Sequence, residues 1–476
     1  MGANDGLLHA FKTSDGSEAW SFIAPNIMSR LKLIAHATHP TTLSHQYFVD
    51  GPITVADVWI PATASSGTTK SASDWHTLLV FGEGRGASTN IWSSSTYCDS
   101  GLNPMYTSTY QYYCGYYSLD LTNSLTPAFK WRLGLTASQV PYMGAPWSRM
   151  LVGRVKVGGN EKWLGFIGGG VYAPNATHSG KGFFAVDLLD GSVLWSYTRA
   201  DSSNLDSPMP APPAIVDTDN DGFIDTAYIG DIGGNMWRMK FCRAADGDTC
   251  NTSNWTGARF FEAKASSGIR PIYTLAAVAK DGAGNFWVYW GTGDKTDPTA
   301  ANAQEKIFAV KDTDFTSTRT GDQVQNLTSA GSVFNPDDTS KPYGYYINLA
   351  GQGEKMLSDV TVFGGVLYVA TFTPEQSNNP CKQGGAATLY GIGATSGAGA
   401  LAIPGVTDPP RSMSLGTGIS SAPVISLKPG SAGTPDLFVT TSGGGLTGAQ
   451  TQRVNINPPG LSNRTNMLYW KDKRVE

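Results

Sequence analysis

The feature that most constrains the fold of this chain is a unit that recurs seven times along its 476 residues. Every copy after the first has a hydrophobic strand that enters a glycine-rich turn, and the longer copies continue into a second apolar or aromatic strand. The copies lie at Gly2–Phe11, Leu78–Asp120, Leu164–Asp187, Ala227–Trp237, Trp287–Val310, Leu367–Gly391 and Leu437–Trp470. Periods of roughly 45 to 80 residues are typical of a β-propeller, in which each blade hides its apolar faces only against its neighbours. The repeats therefore predict an all-β, seven-bladed (modified) β-propeller.

Composition agrees with this fold class. The chain has 56 Gly, 27 Pro and only 15% charged residues, which favours turns and strands over long amphipathic helices. Four long insertions rich in Ser, Thr, Gly and Asn are predicted to be loops on the rim or on one face, where binding residues are usually carried. They lie at 61–75, 88–113, 316–342 and 446–463.

The first copy lacks the strand that should precede its glycine-rich turn. We therefore expect residues 1–476 to form a single β-propeller domain that is the C-terminal part of a longer protein. The alternative is that the first residues complete a blade begun by the last strands, as in ring closure.

The segment Asp217–Asp225, called the aspartate loop below, is the strongest candidate for a binding site. Positions 1, 3, 5 and 9 of this loop are Asp217, Asp219, Asp221 and Asp225. Four carboxylates this close repel one another unless a hard cation lies among them, and calcium suits their spacing. Gly222 permits the sharp turn, and the Phe223 carbonyl supplies an oxygen at the seventh position.

The surroundings of the aspartate loop distinguish it from an EF-hand. Position twelve is Tyr228 instead of the bidentate Glu, and both flanks have the composition of strands. The loop is therefore predicted to be a β-hairpin that binds Ca2+. The alternative is an Asx-turn loop without metal, but turn chemistry alone does not require aspartate at all four positions.

The five cysteines predict an exported protein. Cys98 with Cys114 and Cys242 with Cys250 each bracket a short loop, and a disulfide in each place would staple that loop. Metal binding or catalysis by these cysteines is less favoured, because there is no Cys-x-x-Cys and no neighbouring His. Disulfides form in oxidising compartments. Cys381 remains, either as a free thiol or as a partner for a cysteine outside this chain.

Several function classes are excluded or disfavoured by the sequence. The net charge of −4, without a local run of Lys or Arg, gives no field that would attract nucleic acid. No apolar run reaches the length of about 18 residues that a membrane span needs. The first residues have neither the charged nor the apolar region of a secretion signal. No Gly-x-Ser-x-Gly motif, acid pair or Cys/His arrangement indicates an enzyme.

Two further segments leave alternatives open. His36, His39 and His45 have a spacing that zinc sites use, but no Cys or acidic ligand accompanies them, so ordinary exposed imidazoles are favoured. The tyrosine-rich stretch Tyr106–Tyr117 is either a recognition surface or a loop packed on its own propeller. Tyrosine favours recognition because it supplies a large contact area at low entropy cost.

Four features together resemble the C-terminal propeller of PilY-type proteins, the tip adhesin and assembly factor of bacterial type IV pili. They are the opening Gly2–Phe11, the Gly84–Gly86 segment after a strand, the aspartate loop followed by Tyr228–Arg238, and the terminal Tyr469–Lys471 segment. The resemblance covers essentially the whole chain.

The resemblance implies a site and a function. It assigns calcium binding to the side chains of Asp217, Asp219, Asp221 and Asp225 and to the carbonyl of Phe223. It implies a non-enzymatic protein at the pilus tip that supports pilus extension against retraction, twitching motility and surface adhesion. The implied partners are minor pilins, a host or abiotic surface, and an N-terminal region of the same protein. The implied location is the cell surface, with the periplasm in transit. No Arg-Gly-Asp tripeptide occurs, so integrin-type adhesion through that motif is not supported.

Two segments favour an alternative of another class. Ala10–Trp20 and Ala185–Trp195 resemble the Ala-x-Asp-x3-Gly-x3-Trp repeat of pyrroloquinoline-quinone dehydrogenases, which are calcium-dependent propeller enzymes. Only these two copies occur, the first has Lys12 in place of Asp, and no vicinal Cys pair is present. A third reading, an outer-membrane assembly scaffold built on the same repeat, does not require an aspartate loop. The non-enzymatic pilus propeller is therefore the favoured prediction.

Overall fold

The computed structural model describes most of the chain. The described residues are 1–25, 27–28, 47–61, 70–88, 115–136, 138–171, 177–262, 270–301, 304–313, 317–376, 384–401, 406–427, 435–443, 448–456 and 458. They form an all-β structure, as predicted, in which the helical elements are short 3-10 turns. These turns are Ala72–Asp74, Gly84–Ser88, Val140–Tyr142, Ala244–Asp246, Thr252–Asn254 and Gly321–Gln323. No helix in the described part of the chain is both long and apolar enough to cross a membrane.

The chain forms two compact units. One consists of Met1–Ala227 and Arg238–Gly257, and the other of Tyr228–Trp237 and Ala258–Glu476. That residues 1–476 form a single propeller domain stays a prediction.

The described residues form seven sheets, the first three of which are antiparallel throughout. Strands β1 (Leu8–Phe11) and β2 (Glu18–Phe22) pair in the first sheet. The second sheet has the order β3 (Ile53–Trp59), β4 (Trp75–Gly82), β5 (Tyr116–Asp120), β6 (Ala128–Arg132). The third has the order β7 (Leu151–Val157), β8 (Asn160–Gly168), β9 (Gly182–Asp187), β10 (Val193–Thr198).

The other four sheets follow along the chain and include β11–β28. One contains β11 (Ala214–Val216), β12 (Thr226–Gly230), β13 (Met236–Lys240), β14 (Thr256–Glu262) and β18 (Arg319–Thr320); the next contains β15 (Ala277–Lys280), β16 (Phe286–Gly291), β17 (Lys306–Asp312), β20 (Gly344–Asn348) and β19 (Gln325–Asn326). The last two contain β21 (Lys355–Met356), β22 (Thr361–Phe363), β23 (Val366–Pro374), β24 (Gly385–Gly393) and β25 (Ser412–Thr417), and then β26 (Val424–Ser426), β27 (Asp436–Thr441) and β28 (Gln450–Asn455).

Central strands bury both of their faces. In β4, Leu78 and Val80 belong to one apolar cluster, which includes residues of β8 and β9, while Leu79 and Phe81 belong to another, shared with β1. Successive side chains of a strand point to opposite faces, so each of these sheets has an apolar neighbour on both sides. This burial explains why the strands read as continuous apolar runs instead of alternating patterns.

Strand β23 shows the same arrangement in the second unit. Its residues Leu367 and Val369 lie in one cluster, and Val366, Tyr368 and Ala370 lie in the other. Each of these sheets is covered on one face by the preceding sheet and on the other by the following sheet. This is the packing expected for propeller blades. The seven sheets agree with the seven sequence copies, but two sheets have only two and three strands in the described residues. The number of blades therefore stays a prediction.

The predicted loop insertions contain more regular structure than expected. The 316–342 insertion includes β18, which pairs parallel with β14, and β19, which pairs parallel with β20. The 446–463 insertion includes β28, and the 61–75 insertion ends with a 3-10 turn and the first residue of β4. Strands β18 and β19 have only two residues each, which is too short for a periodic pattern, so the sequence did not reveal them. Residues 89–113 lie outside the described residues.

Candidate metal centre

The aspartate loop connects β11 to β12, as the strand-like flanks predicted. Two of its residues have left-handed backbone conformations, Asn220 with φ +61° and Gly222 with φ +88°. Asn220 is the one non-glycine residue with positive φ in the described part of the chain. Asparagine and glycine tolerate this region best, so the loop can reverse direction on either side of Asp221. The predicted sharp turn is therefore present.

Three of the four predicted carboxylates converge. Asp217, Asp219 and Asp225 each present an oxygen, and these three oxygens lie within 4.8 Å of one another. Asp225 is buried, with 1% of its surface exposed. Burial raises the pKa of the Asp225 carboxyl, hydrogen bonds from Thr226 and Thr218 oppose the rise, and the Asp219 carboxylate adds to it. A cation between the three groups would relieve both the repulsion and the desolvation of Asp225.

Hydrogen bonds hold each of the three carboxylates in place. Asp217 Oδ2 accepts from the Gly222 amide at 2.7 Å, and Asp219 Oδ2 accepts from the Ala244 amide at 2.9 Å. Asp225 accepts from the Thr218 amide at 2.8 Å, and it also accepts from the hydroxyls of Thr218 and Thr226. The carboxylates therefore converge because backbone and hydroxyl donors fix them.

The fourth predicted side chain, Asp221, is placed differently. Its amide donates toward Asp217 at 3.2 Å and Asp219 at 3.3 Å, but its own carboxylate is engaged elsewhere. Asp221 Oδ1 accepts from the Phe223 amide at 2.9 Å, and Oδ2 accepts from Lys156 Nζ at 3.2 Å. The structure thus brings together three of the predicted ligands, with Asp221 beside them and paired to a lysine. That calcium binds to Asp217, Asp219, Asp221, Asp225 and the Phe223 carbonyl stays a prediction.

The Cys242–Cys250 disulfide adjoins this loop. The two cysteines are joined as predicted, with their Cα atoms 5.8 Å apart. The loop that they close supplies the Ala244 amide to Asp219, and its Cys250 carbonyl accepts from the Gly158 amide at the β7–β8 turn. The disulfide therefore constrains a segment that positions one of the carboxylates. Cys98, Cys114 and Cys381 lie outside the described residues.

Sequence reasoning missed the contribution of β7 to this centre. Arg154 and Lys156 of β7 contact the aspartate loop, through the Gly222 carbonyl and the Asp221 carboxylate respectively. Their i, i+2 spacing places both side chains on one face of the strand, opposite in charge to the loop. That spacing is readable in the sequence, but which loop faces β7 is not, because the contacts span 65 or more residues.

The two segments that resemble quinoprotein repeats form hairpins of the same kind. In Ala10–Trp20, the Gly16 amide donates to the Lys12 carbonyl, and in Ala185–Trp195, the Gly191 amide donates to the Asp187 carbonyl. In both turns an aspartate accepts from a serine amide and hydroxyl two residues later. The glycine of the shared pattern is therefore accounted for by the geometry of a hairpin turn.

Most residues of the remaining candidate segments lie outside the described part of the chain. His36, His39 and His45 lie outside the described residues, and so does Tyr106–Cys114, which is most of the tyrosine-rich stretch. Tyr116 and Tyr117 are buried in β5, where Tyr116 donates its hydroxyl to the Ser148 carbonyl. These two tyrosines belong to the core and not to a recognition surface.

Comparisons with known proteins agree with the resemblance found in the sequence. Residues 139–334 match a family model described as the PilY1 beta-propeller domain. A curated protein of Pseudomonas aeruginosa, named type IV pilus biogenesis factor PilY1, is 25% identical over 445 residues, which cover 82% of this chain and 34% of that protein. A PilY1 homologue of Xylella fastidiosa is 24% identical over 436 residues, covering 84% of this chain and 26% of that protein. The chain thus spans about a third of the length of the first relative and about a quarter of the second.

A solved structure supports the fold. The C-terminal domain of Pseudomonas aeruginosa PilY1 aligns with a TM-score of 0.64 at 20% identity, over 96% of this chain and 92% of that chain. The β-propeller fold and the resemblance to the C-terminal propeller of the PilY family are confirmed.

Proposed function

We propose that this PilY-type β-propeller is a calcium-binding, non-enzymatic component of type IV pilus biogenesis. The observation that carries the proposal is the similarity to curated relatives named type IV pilus biogenesis factors, which extends over 82% of this chain. Within that similarity, the aspartate loop offers a defined site through which the propeller could respond to its surroundings.

The proposed ion is calcium, held by Asp217, Asp219 and Asp225. Three carboxylate oxygens within 4.8 Å of one another suit a hard cation with oxygen ligands, and each carboxylate is already oriented by protein donors. When bound, calcium supplies positive charge that cross-links the two ends of the loop. Extracellular calcium is on the order of millimolar, so even a site of modest affinity would be filled outside the cell.

The proposed setting is the pilus tip. There the propeller would contact minor pilins and a host or abiotic surface, together with the N-terminal region of the same protein, and would support extension against retraction, twitching motility and adhesion. The relatives' names support a role in the pilus, and the Cys242–Cys250 disulfide supports export to an oxidising compartment.

Calcium binding is tested by calorimetric titration of the 476-residue chain and of Asp217→Ala. We expect saturable one-site binding in the parent and a strong loss of affinity in the variant, because Asp217 accepts from the turn and faces the proposed ion. Asp190→Ala is the matched control, since Asp190 also accepts a backbone amide, in its case that of Ser192, in the hairpin turn between β9 and β10. Binding that is unchanged in Asp217→Ala would refute the site.

The pilus role is tested with the full-length protein in its source bacterium. We expect deletion of the gene to reduce surface pili and twitching, the parent gene to restore both, and Asp217→Ala to restore them only partly. Asp190→Ala should restore both fully. Normal piliation and twitching after deletion would contradict the proposed function, whatever the calcium titration shows.

A further inference from the structure

An ion pair joins the aspartate loop to the neighbouring sheet. Lys156 Nζ of β7 lies 3.2 Å from Asp221 Oδ2, and the two side chains are 33% and 17% exposed. Lys156 is therefore a positive charge beside a loop that carries four carboxylates. The sequence pattern around Asp217–Asp225 does not predict that Lys156 lies beside this loop.

The pair separates Asp221 from the other three carboxylates. Asp217, Asp219 and Asp225 converge within 4.8 Å, whereas both oxygens of Asp221 have other donors, the Phe223 amide and Lys156 Nζ. The Asp221 amide still donates toward the converging group. The Asp221 amide thus donates to the converging carboxylates, while the Asp221 side chain is bound by Lys156.

The lysine is held in position by the contacts of its strand. The Ile224 amide donates to the Arg154 carbonyl at 2.8 Å, and Arg154 Nε donates to the Gly222 carbonyl at 2.6 Å. The Arg154 guanidinium and Lys156 Nζ each lie 4.7 Å from the centre of the Phe223 ring. A cation over an aromatic ring and a carboxylate together hold the ammonium group next to the loop.

We propose that Lys156 is a built-in counter-ion that sets the calcium affinity of the aspartate loop by holding Asp221 away from the ion. The inference rests on the proposed calcium binding and adds its regulation. Without calcium, the ammonium group offsets part of the repulsion in the loop and stabilises it. With calcium, the same group competes for Asp221 and repels the ion, so binding is weaker than the four aspartates alone would provide.

The sign of this effect distinguishes a counter-ion from a structural support. If Lys156 merely supported the loop, its removal would weaken calcium binding. As a counter-ion, its removal frees Asp221 and leaves the loop more negative, so calcium binds more tightly. We expect Lys156→Gln to lower the calcium Kd roughly twofold to fivefold, the range of a partly exposed ion pair. Its melting temperature should fall in chelator and recover in calcium.

The experiment is calorimetric calcium titration of the parent, Lys156→Gln and Lys156→Arg, with thermal melts in calcium and in chelator. Lys156→Arg keeps the charge and should bind like the parent. The matched control is Lys162→Gln, because Lys162 pairs with Asp187 at 2.7 Å and is 36% exposed, but belongs to β8 and a different turn. This control should leave the calcium Kd unchanged.

A double-mutant cycle tests whether Asp221 carries the effect. In an Asp221→Asn background, Lys156→Gln should tighten calcium binding by clearly less than it does in the parent, because only the repulsion between Lys156 and the ion is left to remove. A gain of the same size in both backgrounds would overturn the role of the ion pair, and an unchanged or weaker affinity of Lys156→Gln alone would overturn it as well. A parent chain that binds no calcium would instead refute the calcium proposal, and this inference with it.

Discussion

The aspartate loop and the turn that follows β15 use acidic side chains in opposite ways. In the aspartate loop, three carboxylates approach one another, and burial raises the pKa of Asp225. In the segment Asp281–Trp287, called the tryptophan turn below, a single carboxylate receives the Asn285 amide at 2.8 Å and Trp287 Nε1 at 2.9 Å. Burial alone would raise the pKa of Asp281, but the hydrogen bonds from Asn285, Trp287 and Ala283 outweigh it and lower that pKa.

The difference lies in the ratio of donors to carboxylates. One carboxylate surrounded by amide and indole donors is fully compensated by the protein. Carboxylates that converge in one loop repel one another, and in the calcium proposal a cation offsets this repulsion. We therefore expect metal removal to leave the stability of the tryptophan turn unchanged and to lower that of the aspartate loop.

A second tryptophan turn shows that this solution is repeated. In Asp231–Trp237, Asp231 accepts from the Asn235 amide at 2.9 Å and from Trp237 Nε1 at 2.8 Å. The shared pattern Asp-x-x-Gly-Asn-x-Trp was not singled out from the sequence, although it is legible there. Asp231 is fully buried, whereas Asp281 is partly exposed.

The largest expected effect comes from breaking the buried tryptophan turn. Asp231→Ala leaves the Asn235 and Trp237 donors unsatisfied in the core, so we expect it to lower the free energy of unfolding by about 3 kcal/mol, and Asp281→Ala by about half as much. Urea unfolding of both variants checks the order. Equal losses would show that burial does not set the strength of this turn.

Removing calcium should have the next largest effect, confined to the aspartate loop. With calcium at a hundredfold excess over Kd, the parent should be about 2.7 kcal/mol more stable than in chelator. Unfolding in calcium and in chelator measures this difference. Asp217→Ala should lose most of it, while Asp281→Ala should keep all of it. If Asp281→Ala lost the calcium dependence, the contrast between the two turns would not hold.

A matched pair of glycines sharpens the comparison further. Gly222 has φ +88° and Gly284 has φ +91°, so alanine is strained at both. A Cβ at Gly222 would also lie 2.5 Å from Arg154 Nη2, whereas at Gly284 the nearest atom, Lys280 Cε, is 3.9 Å away. We expect Gly284→Ala to cost about 1 kcal/mol and Gly222→Ala about 2 kcal/mol. Only Gly222→Ala should also weaken calcium binding. Equal losses of stability would show that contact with Arg154 does not contribute to the cost of Gly222→Ala.

The smallest expected effect is the pH dependence of the tryptophan turn. The folded-state pKa of Asp281 is lowered from its ordinary 3.8, so its ionised form adds stability above that pH, and this stability is lost as pH falls through the folded pKa. The destabilisation by Asp281→Asn should therefore be full at neutral pH and shrink in acid. Unfolding of parent and variant across this range checks it, and a difference that grows in acid would contradict the assignment.

Much of the fold and part of the site could be predicted from the sequence. The apolar runs and glycine-rich turns predicted the longer strands, and the all-β propeller was confirmed. The aspartate loop was found because its four carboxylates lie within nine residues of one another, where spacing alone constrains geometry. The short strands β18 and β19 were missed, since two residues carry no periodic signal.

The sequence by itself determined the features that depend on neighbouring residues. These are the longer strands, the turns, the closeness of the aspartates in one loop, and the closure of the Cys242–Cys250 loop. The tertiary structure decided which distant groups face that loop. Lys156 binds the Asp221 carboxylate although the two residues are 65 positions apart in the sequence. The Ala244 amide binds Asp219, which is 25 positions away. Such contacts depend on how separate strands are placed beside one another, and local spacing contains no information about that placement.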